Sequence, residues 1–505
     1  MEPFWLVSLL FILSFFILLN FIKKQEPKNL PPGPPKLPLI GNLHQVASKT
    51  TLPHRRLAEL ASVHGPIMHL RLGEVSIVII SSAEMAKEVM KTHDALLCNR
   101  PAAMLLPQVV FYNSSDIALC PYGPYWRQVR KIATLELFTA HRVQVFWPIR
   151  EEEVVDFVKI LASQAGSVVN VSNKIFSTLF NITLRIGMNK KGKDGDEFKT
   201  LISDMAATVS GFSIGDLYPS LKFISTLSGM KGQLQDIVMR IDKLMDPIIE
   251  EHMTKKKQGI EDQDEDLIDV LLKFHEDNLC LGTDFSLTTN NVKAIVLELF
   301  GAASETSSTL IEWAISELLK NPIKMAKAQD EVRRVLQGNE TIINEASLDK
   351  LKYLKLVIKE TLRLHPPFPC LVPRESLARC EIDGYEIPSK TRIFINAWAI
   401  GRNPKHWTNP EEFNPERFEE SSIDYKGMHF ELIPFGSGRR ICPGMGLSIA
   451  TIELVLAMLL YHFDWKLPNG TGPEELDMDE TFGLVGRRKN DLQVIPLLYT
   501  FSGYK

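Results

Sequence analysis

The chain begins with a long apolar run. From Phe4 to Ile22 the segment FWLVSLLFILSFFILLNFI has only three polar interruptions, which are Ser8, Ser14 and Asn20. As a helix this run would extend roughly 28 Å, close to the hydrocarbon thickness of a bilayer. The pattern therefore predicts one membrane-spanning helix within residues 1–22.

The flanks of the apolar run predict its orientation. Lysines follow it at positions 23, 24 and 28, whereas Glu2 precedes it. By the positive-inside rule, the chain beyond the anchor is cytosolic. A cleaved signal peptide is the alternative, and the absence of an N-terminal positive charge and of a small-x-small cleavage site disfavours it. Residues 23–42 are basic and proline-rich, and the sequence PPGPP within them favours a stiff extended hinge.

Periodic patterns predict that residues 43–505 form one large, mainly helical domain with small β-sheets. The stretch IMHLRLGEVSIVIISS, from Ile67 to Ser82, alternates around a Gly73-Glu74 turn and is typical of a β-hairpin. Helical periodicity dominates to about residue 365, and short β-like runs return between residues 370 and 400. No internal repeat is evident.

One predicted helix carries polar residues in the middle of an apolar stretch. It begins near Thr288 or Thr289, either of which is a suitable N-cap, and ends before Pro322. One of its faces is small and flat, and is formed by Leu299, Ala302, Ala303, Thr306 and Leu310. Such a face fits either close helix–helix packing or a large flat group lying against it. Glu305 and Thr306 then either point to water or line a buried site.

Composition changes this picture in two respects. The net charge is −4 and no long basic block occurs, so nucleic acid is not expected as a partner. The six cysteines form no CxxC pair, and their spacing fits neither a zinc site nor a disulfide scaffold. We therefore expect a reducing compartment and at most one specialised cysteine.

Cys442 is that specialised cysteine. It lies in the loop PFGSGRRICPG among three glycines, and Arg439 and Arg440 precede it. Glycines permit close backbone approach, and backbone N–H groups, nearby arginines and a following helix N-terminus all favour an anion. The loop thus predicts a stabilised thiolate. From these residues alone it is either a nucleophile, which needs a base nearby, or a metal ligand.

The spacing of this loop resembles the haem-binding loop of the cytochromes P450. The residues that carry the resemblance are Phe435, Gly438, Arg440, Cys442 and Gly444. Other motifs of that family follow in the same order: KETLR resembles the ExxR motif and NPERF a downstream motif, giving Glu360, Arg363 and Arg417. The resemblance covers essentially the whole chain. It is closest to the plant A-type group, and within it to branches that oxidise terpenoids and terpenoid-derived indole alkaloids.

This resemblance implies roles for individual residues. Cys442 would be the axial ligand of the iron of haem b, and the propionate groups would meet Trp126, Arg130, Arg374 and Arg440. Glu360, Arg363 and Arg417 would form a buried charge network, although an exposed salt bridge explains the first two equally well from spacing alone. Glu305 and Thr306 would deliver protons when O2 is activated. The substrate pocket would include Phe300, Ala302, Ala303, Phe368, Leu371 and Phe482.

One position departs from the family's pattern. The family that this chain resembles usually has a glycine at the position of Ala303, within the sequence AASET. The added methyl group is expected to affect coupling and pocket shape rather than the reaction class. A threonine at position 306 is also expected to bond back to the carbonyl of Ala302 and open the helix locally.

The expected function is an NADPH- and O2-dependent haem-thiolate monooxygenase that oxidises a small hydrophobic plant metabolite, with a terpenoid or an indole alkaloid as the expected substrate. The chain has no flavin or nicotinamide fingerprint, so electrons would come from NADPH-cytochrome P450 reductase, with cytochrome b5 as a further candidate partner. The resemblance places the protein in the endoplasmic reticulum membrane, in contact with lipid, as a single-pass protein with a cytosolic catalytic domain. The alternatives are a haem-thiolate isomerase or dehydratase that needs neither O2 nor reductase, a non-catalytic haem carrier or scaffold, and oxidation of a phenolic or coumarin-type compound.

Overall fold

The structure is a computed structural model that describes residues 29–47, 51–190, 193–208, 214–258, 265–275, 286–336, 345–481 and 483–500, together with positions 5, 8, 11, 13 and 14. Most of the predicted membrane anchor and residues 23–28 of the hinge lie outside the described residues. Two described helices, Thr289–Lys320 and Met445–His462, are long and apolar enough to cross a membrane, but most of each apolar window is buried in the protein. They are therefore core helices of the folded body.

The described part of the chain is mainly helical. Its α-helices, in chain order, are α1 Leu43–Val46, α2 Pro53–His64, α3 Ala83–Lys87, α4 Asp94–Leu97, α5 Leu105–Val109, α6 Pro124–Ile132, α7 Ala140–Val145, α8 Trp147–Ser163, α9 Val171–Met188, α10 Lys193–Thr208, α11 Ile214–Leu217, α12 Phe223–Leu227, α13 Met230–Lys257, α14 Leu267–Leu272, α15 Thr289–Lys320, α16 Pro322–Leu336, α17 Glu345–Leu348, α18 Lys352–Leu364, α19 Ala397–Ile400 and α20 Met445–His462. Single π-helical turns extend α3 and α6 at Glu88–Thr92 and Ala133–Leu137.

Three small sheets accompany the helices. The first has the order β1-β2-β7-β4, the second β3-β9-β8 and the third β5-β6. The strands are β1 Ile67–Leu72, β2 Val75–Ile80, β3 Val169–Asn170, β4 Arg374–Glu375, β5 Cys380–Ile382, β6 Tyr385–Ile387, β7 Arg392–Ile395, β8 Phe463–Lys466 and β9 Gln493–Leu498. The predicted hairpin is confirmed, because β1 and β2 pair in antiparallel register from Ile67–Ile80 to Leu72–Val75.

The central helix α15 spans 32 residues and crosses the core as predicted. Its N-cap is Thr288, whose hydroxyl accepts the N–H of Asn291, while the Asn291 side chain accepts the N–H of Thr288. This reciprocal capping satisfies two N–H groups that the first helical turn leaves free. α15 packs against α9, α18 and α20 around the largest hydrophobic cluster, so side chains on its middle turns face the interior.

Candidate active site

A cavity lies between the middle of α15 and the cysteine loop. Its volume is about 270 Å³, measured as the space open to the centres of water molecules. One wall is the flat helix face with Leu299, Ala302, Ala303 and Thr306, and the loop lines the other side with Phe435, Gly436, Cys442 and Gly444. Two features that are far apart in the sequence therefore face the same space.

The glycines of the loop are required by its backbone. Gly436 and Gly438 both have φ of +70°, a conformation that L-amino acids with a side chain rarely adopt. A Cβ atom at Gly438 would lie 2.2 Å from the carbonyl oxygen of Met90 and 2.8 Å from Oδ1 of Asp94. Gly438 thus lets the loop pack against the π-helical turn after α3 and the start of α4.

Cys442 lies at the end of this loop, just before α20. Its N–H donates to the carbonyl of Phe435 at 2.9 Å. Burial raises the pKa of the Cys442 thiol, while the N–H groups of Gly444 and Met445 and the charge of Arg130 act in the opposite direction. Burial is the largest of these effects. A metal cation bound to the sulfur would supply the missing stabilisation, which favours a ligand over a free nucleophile.

The two arginines that precede Cys442 in the sequence are bonded to other groups. Arg440 donates to the carbonyls of Cys98, Ile117 and Cys120, and its guanidinium group lies 4.1 Å from the ring centre of Trp126. Burial lowers the pKa of Arg440 to about 10. Backbone carbonyls and Asp94 thus hold these two arginines, and the cation that lowers the pKa of Cys442 is Arg130, which comes from α6.

Asp94 was not found by sequence analysis. This buried carboxylate at the start of α4 accepts Nη1 of Arg374 at 2.7 Å, and both the N–H and Nη1 of Arg439, at 3.0 and 2.9 Å. It is 345 residues from Arg439 in the sequence, and its surroundings in the chain contain no motif. Asp94 therefore joins the cysteine loop to the N-terminal half of the body.

Several guanidinium groups line the cavity. Trp126, Arg130, Arg374 and Arg440 all line it, as does Arg100, which the sequence analysis missed. The indole N–H of Trp126 donates to the carbonyl of Ile117 at 3.0 Å. Burial, and then the charges of Arg440 and Arg374, lower the pKa of Arg100. This excess of crowded positive charge fits a ligand that carries more than one anionic group.

Glu298 is a second residue that sequence analysis missed. It projects from α15 into the cavity wall and accepts the N–H groups of Ile117 and Ala118 at 2.6 and 2.9 Å. Burial, and then the nearby carboxyl group of Asp116, raise the pKa of Glu298. A proton shared by Glu298 and Asp116 removes one negative charge that would otherwise offset the positive charge of the nearby arginines.

Glu305 and Thr306 lie on different sides of α15. Thr306 lines the cavity and its Oγ1 donates to the carbonyl of Ala302 at 2.6 Å, as predicted, although the helix remains continuous. Glu305 is not among the lining residues, and its Oε1 lies 3.5 Å from Nε of Arg487. Burial raises the pKa of Glu305, and the charge of Arg487 opposes this shift. The two side chains are therefore neighbours in the sequence, but only Thr306 faces the cavity.

Comparison with known families shows why a cysteine loop and an alanine-rich helix face the same cavity. The family model described as cytochrome P450 matches residues 31–494 of this chain.

The chain is a cytochrome P450.

Curated relatives of this P450 are plant enzymes. Desmethyl-deoxy-podophyllotoxin synthase from Sinopodophyllum hexandrum is 49% identical over 97% of this chain and 96% of its own length. Tabersonine 16-hydroxylase 2 from Catharanthus roseus is 45% identical over 100% of this chain and 99% of its own. Among solved structures, a zebra fish cytochrome P450 with progesterone matches with a TM-score of 0.77 over 89% of this chain and 100% of its own, at 24% identity, which supports the fold.

Membership of this family establishes the cofactor and the reaction class. A cytochrome P450 is a monooxygenase that uses haem and O2, with electrons from NADPH through a reductase. The cavity of this P450 fits haem in three respects: a cysteine sulfur on one wall, a flat alanine face opposite, and guanidinium groups for two propionates. The plant relatives place the chain among P450 enzymes of specialised metabolism.

The charge network expected from the resemblance is buried in this P450. Arg363 donates Nε and Nη2 to the two oxygens of Glu360, each at 2.8 Å, and Glu360 also accepts Nε of Arg417 at 2.9 Å. The Glu360 and Arg363 side chains are 0% exposed. The alternative of an exposed salt bridge is therefore excluded for this pair.

The substrate-pocket residues expected from the sequence divide into three groups. Ala302, Ala303, Phe368 and Leu371 line the cavity of this P450. Phe300 does not, because it lies on another face of α15, where its buried ring packs against Phe180 and Phe198. The expectation for Phe300 is corrected on this ground: a shift of two positions turns a helical side chain by about 200°. Phe482 lies outside the described residues.

Proposed function

We propose that this P450 hydroxylates or otherwise oxidises a hydrophobic terpenoid or a terpenoid-derived indole alkaloid. The single observation that carries this proposal is the apolar wall beside the flat helix face. Its aliphatic and aromatic side chains include Leu179, Ile182, Ile186, Leu310, Phe368 and Leu371. Pockets of this kind take hydrophobic ligands. The relative named for 16-hydroxylation of tabersonine supports the substrate class.

In this proposal each residue of the cavity has one task. Cys442 would hold the haem iron, and the arginines at positions 130, 374 and 440, with Trp126 beside them, would hold the propionates. Phe435 and Gly438 would shape the loop around the sulfur. Haem with a thiolate ligand supplies the chemistry that cleaves the O–O bond. Thr306 would donate and accept hydrogen bonds in the cavity, and Glu305 would carry protons to it from solvent.

We further propose that residues 1–22 anchor the protein in the endoplasmic reticulum membrane, with residues 23–42 as the hinge and 43–505 as the cytosolic catalytic domain.

NADPH-cytochrome P450 reductase is the proposed electron donor, and cytochrome b5 a second one. The cationic side chains of Arg127, Lys131 and Arg439 are candidates for the docking face. Arg439 is 47% exposed and paired with Asp94, so Arg127 and Lys131 are expected to contribute most of its free charge.

The test is turnover by microsomes that contain the full-length protein and its reductase. Terpenoids, indole alkaloids and phenolic or coumarin-type compounds are incubated with and without NADPH, and products are identified by mass spectrometry. Oxygenated products that require NADPH are expected from the first two classes. Products that form without NADPH would support the isomerase or dehydratase alternative instead, and oxidation of phenolics alone would overturn the proposed substrate class.

Ala303→Gly is expected to change the product ratio or the coupling of NADPH use to product, without loss of haem. Ala303 lines the cavity, and one methyl group in an apolar pocket alters discrimination by about 1–3 kcal/mol. Products and NADPH consumption are measured together. The matched control is Ala314→Gly, a fully buried alanine of the same helix that does not line the cavity. Loss of haem from Ala303→Gly, or the same product change in both variants, would contradict this role.

A further inference from the structure

The C-terminal loop at residues 480–488 lies beside the second half of α15. Apart from position 482, which is not described, it is closed by a bridge between its two ends, and the N–H of Thr481 donates to the carbonyl of Arg487 at 2.8 Å. The carbonyl of Gly486 accepts the indole N–H of Trp313, from α15, at 2.8 Å. The backbone next to Arg487 is therefore fixed to the same helix that carries Glu305.

Arg487 reaches Glu305 from this fixed backbone. Its Nε lies 3.5 Å from the Glu305 carboxyl group, and the arginine side chain is 51% exposed against 20% for the glutamate. Among the described residues, Arg487 is the charged group that acts on the pKa of Glu305, in opposition to burial. An ion pair whose arginine is half exposed is weak enough to open and close during turnover.

The anchoring of the loop does not depend on this ion pair. The neighbouring Arg488 is 7% exposed, and its Nη1 contacts Oγ of Ser316 on α15 at 3.2 Å. Together with the bond from Trp313 to Gly486, this contact already joins the loop to the helix. Among the described residues, the ion-pair partner of Arg487 is Glu305, whose carboxyl group the proposed function uses for proton delivery.

We propose that Arg487 is a positioning residue for Glu305, which holds its carboxylate on the solvent side of α15 until that group takes up a proton. This inference rests on the proposed function. A proton from solvent binds a carboxylate oxygen and weakens the pair, because the neutral carboxyl group no longer attracts the guanidinium group. The carboxyl group then turns towards Thr306 and gives the proton to an acceptor in the cavity. The carboxylate that remains pairs again with Arg487.

The first test is a pH titration of the Glu305 carboxyl group by infrared difference spectroscopy on the full-length protein in detergent. The carboxyl band of Glu305 is assigned by its loss in Glu305→Gln. In Arg487→Ala its midpoint is expected to move upward by about half a pH unit, because burial then acts without an opposing charge. Arg487→Lys keeps the charge and is expected to stay near the wild type. Arg379→Ala, which removes an exposed arginine from a different ion pair, is the matched control.

The second test needs no identified substrate. With reductase, NADPH and O2, the hydrogen peroxide released per NADPH consumed is measured for each variant. At a pH above the carboxyl midpoint, Arg487→Ala is expected to lower this ratio by up to roughly threefold, because a pKa half a unit higher leaves that much more of Glu305 protonated. The pH above which the peroxide fraction increases is expected to rise with the pKa, because delivery depends on the protonated carboxyl group. In Glu305→Gln the further change Arg487→Ala is expected to have no effect.

An unchanged carboxyl midpoint in Arg487→Ala would overturn the inference. So would an equal effect of that change with and without Glu305, since this would assign Arg487 a purely structural role. The proposed function fails separately, if NADPH yields no oxygenated product from any compound in the panel. The carboxyl titration still gives a result in that case, because it requires no turnover.

Discussion

Glu360→Ala is expected to lower the free energy of unfolding by about 3–5 kcal/mol, the cost of leaving buried charge without its partner. Glu360 is the one carboxylate that the described structure places between Arg363 and Arg417. Its removal leaves two guanidinium groups in a region where their side chains are 0% and 9% exposed. The backbone N–H of Asn414 also loses its acceptor.

Both arginine variants of this network are expected to lower the free energy of unfolding less than Glu360→Ala does, and Arg363→Ala is expected to lower it more than Arg417→Ala. Arg417→Ala leaves Glu360 paired with Arg363, so it should cost less than either change within that pair. Arg363→Ala removes bonds to the carbonyls of Gly401, Pro410 and Glu412 as well, which detaches the end of α18 from the segment after α19.

Chemical denaturation and haem content of the purified full-length variants test this order. Arg379→Ala breaks an exposed pair with Glu386 and should cost only about 0.2–1 kcal/mol. If Glu360→Ala were no more damaging than that control, the network would contribute little to the fold.

Cys442→Ala is expected to abolish the thiolate-type absorption band of the reduced, carbon-monoxide-bound protein and to lose most of the haem. Cys442 is the one cysteine among the described residues that lines the cavity, opposite the alanine face of α15. Burial raises the pKa of its thiol, so bound iron would be needed to stabilise a negative charge on the sulfur. Without that sulfur the arginines could still hold the propionates, but the loop would offer no ligand to the iron.

Cys370→Ala is the control for this experiment. Cys370 lies beside the cavity segment that carries Phe368 and Leu371, and burial raises the pKa of its thiol to about 12. This variant is expected to keep the band and the haem. A thiolate-type band that persists in Cys442→Ala would show that another ligand holds the iron.

Local chemistry made several features predictable. The hairpin at β1 and β2 follows from alternation, and the start of α15 follows from a threonine with an amide three residues later. The bond from Thr306 to the carbonyl of Ala302 follows from helix geometry alone. The loop around Cys442 was recognisable because two of its glycines, Gly436 and Gly438, have left-handed backbone conformations that few other residues adopt.

Other features required the folded chain. Asp94 and Arg100 line or support the cavity, yet their neighbours in the sequence contain no motif. Glu298 differs from them, because its spacing of four positions from Ala302 already places it on the cavity face of α15. The position of Phe300 is a different case, because the helical period already assigns it to another face than Ala302. That error came from treating consecutive residues of a motif as one surface.

The sequence by itself determined the helices, the hairpin, the cysteine loop and, through the spacing of its motifs, the P450 family. Only the tertiary structure decided which charged side chains pair with each other and which groups have shifted pKa values. It buries Cys442 enough to raise the pKa of its thiol, directs Arg439 to Asp94, and pairs Glu305 with Arg487. The physical reason is range: backbone conformation depends on residues a few positions apart, whereas desolvation and Coulomb energy depend on every element packed nearby.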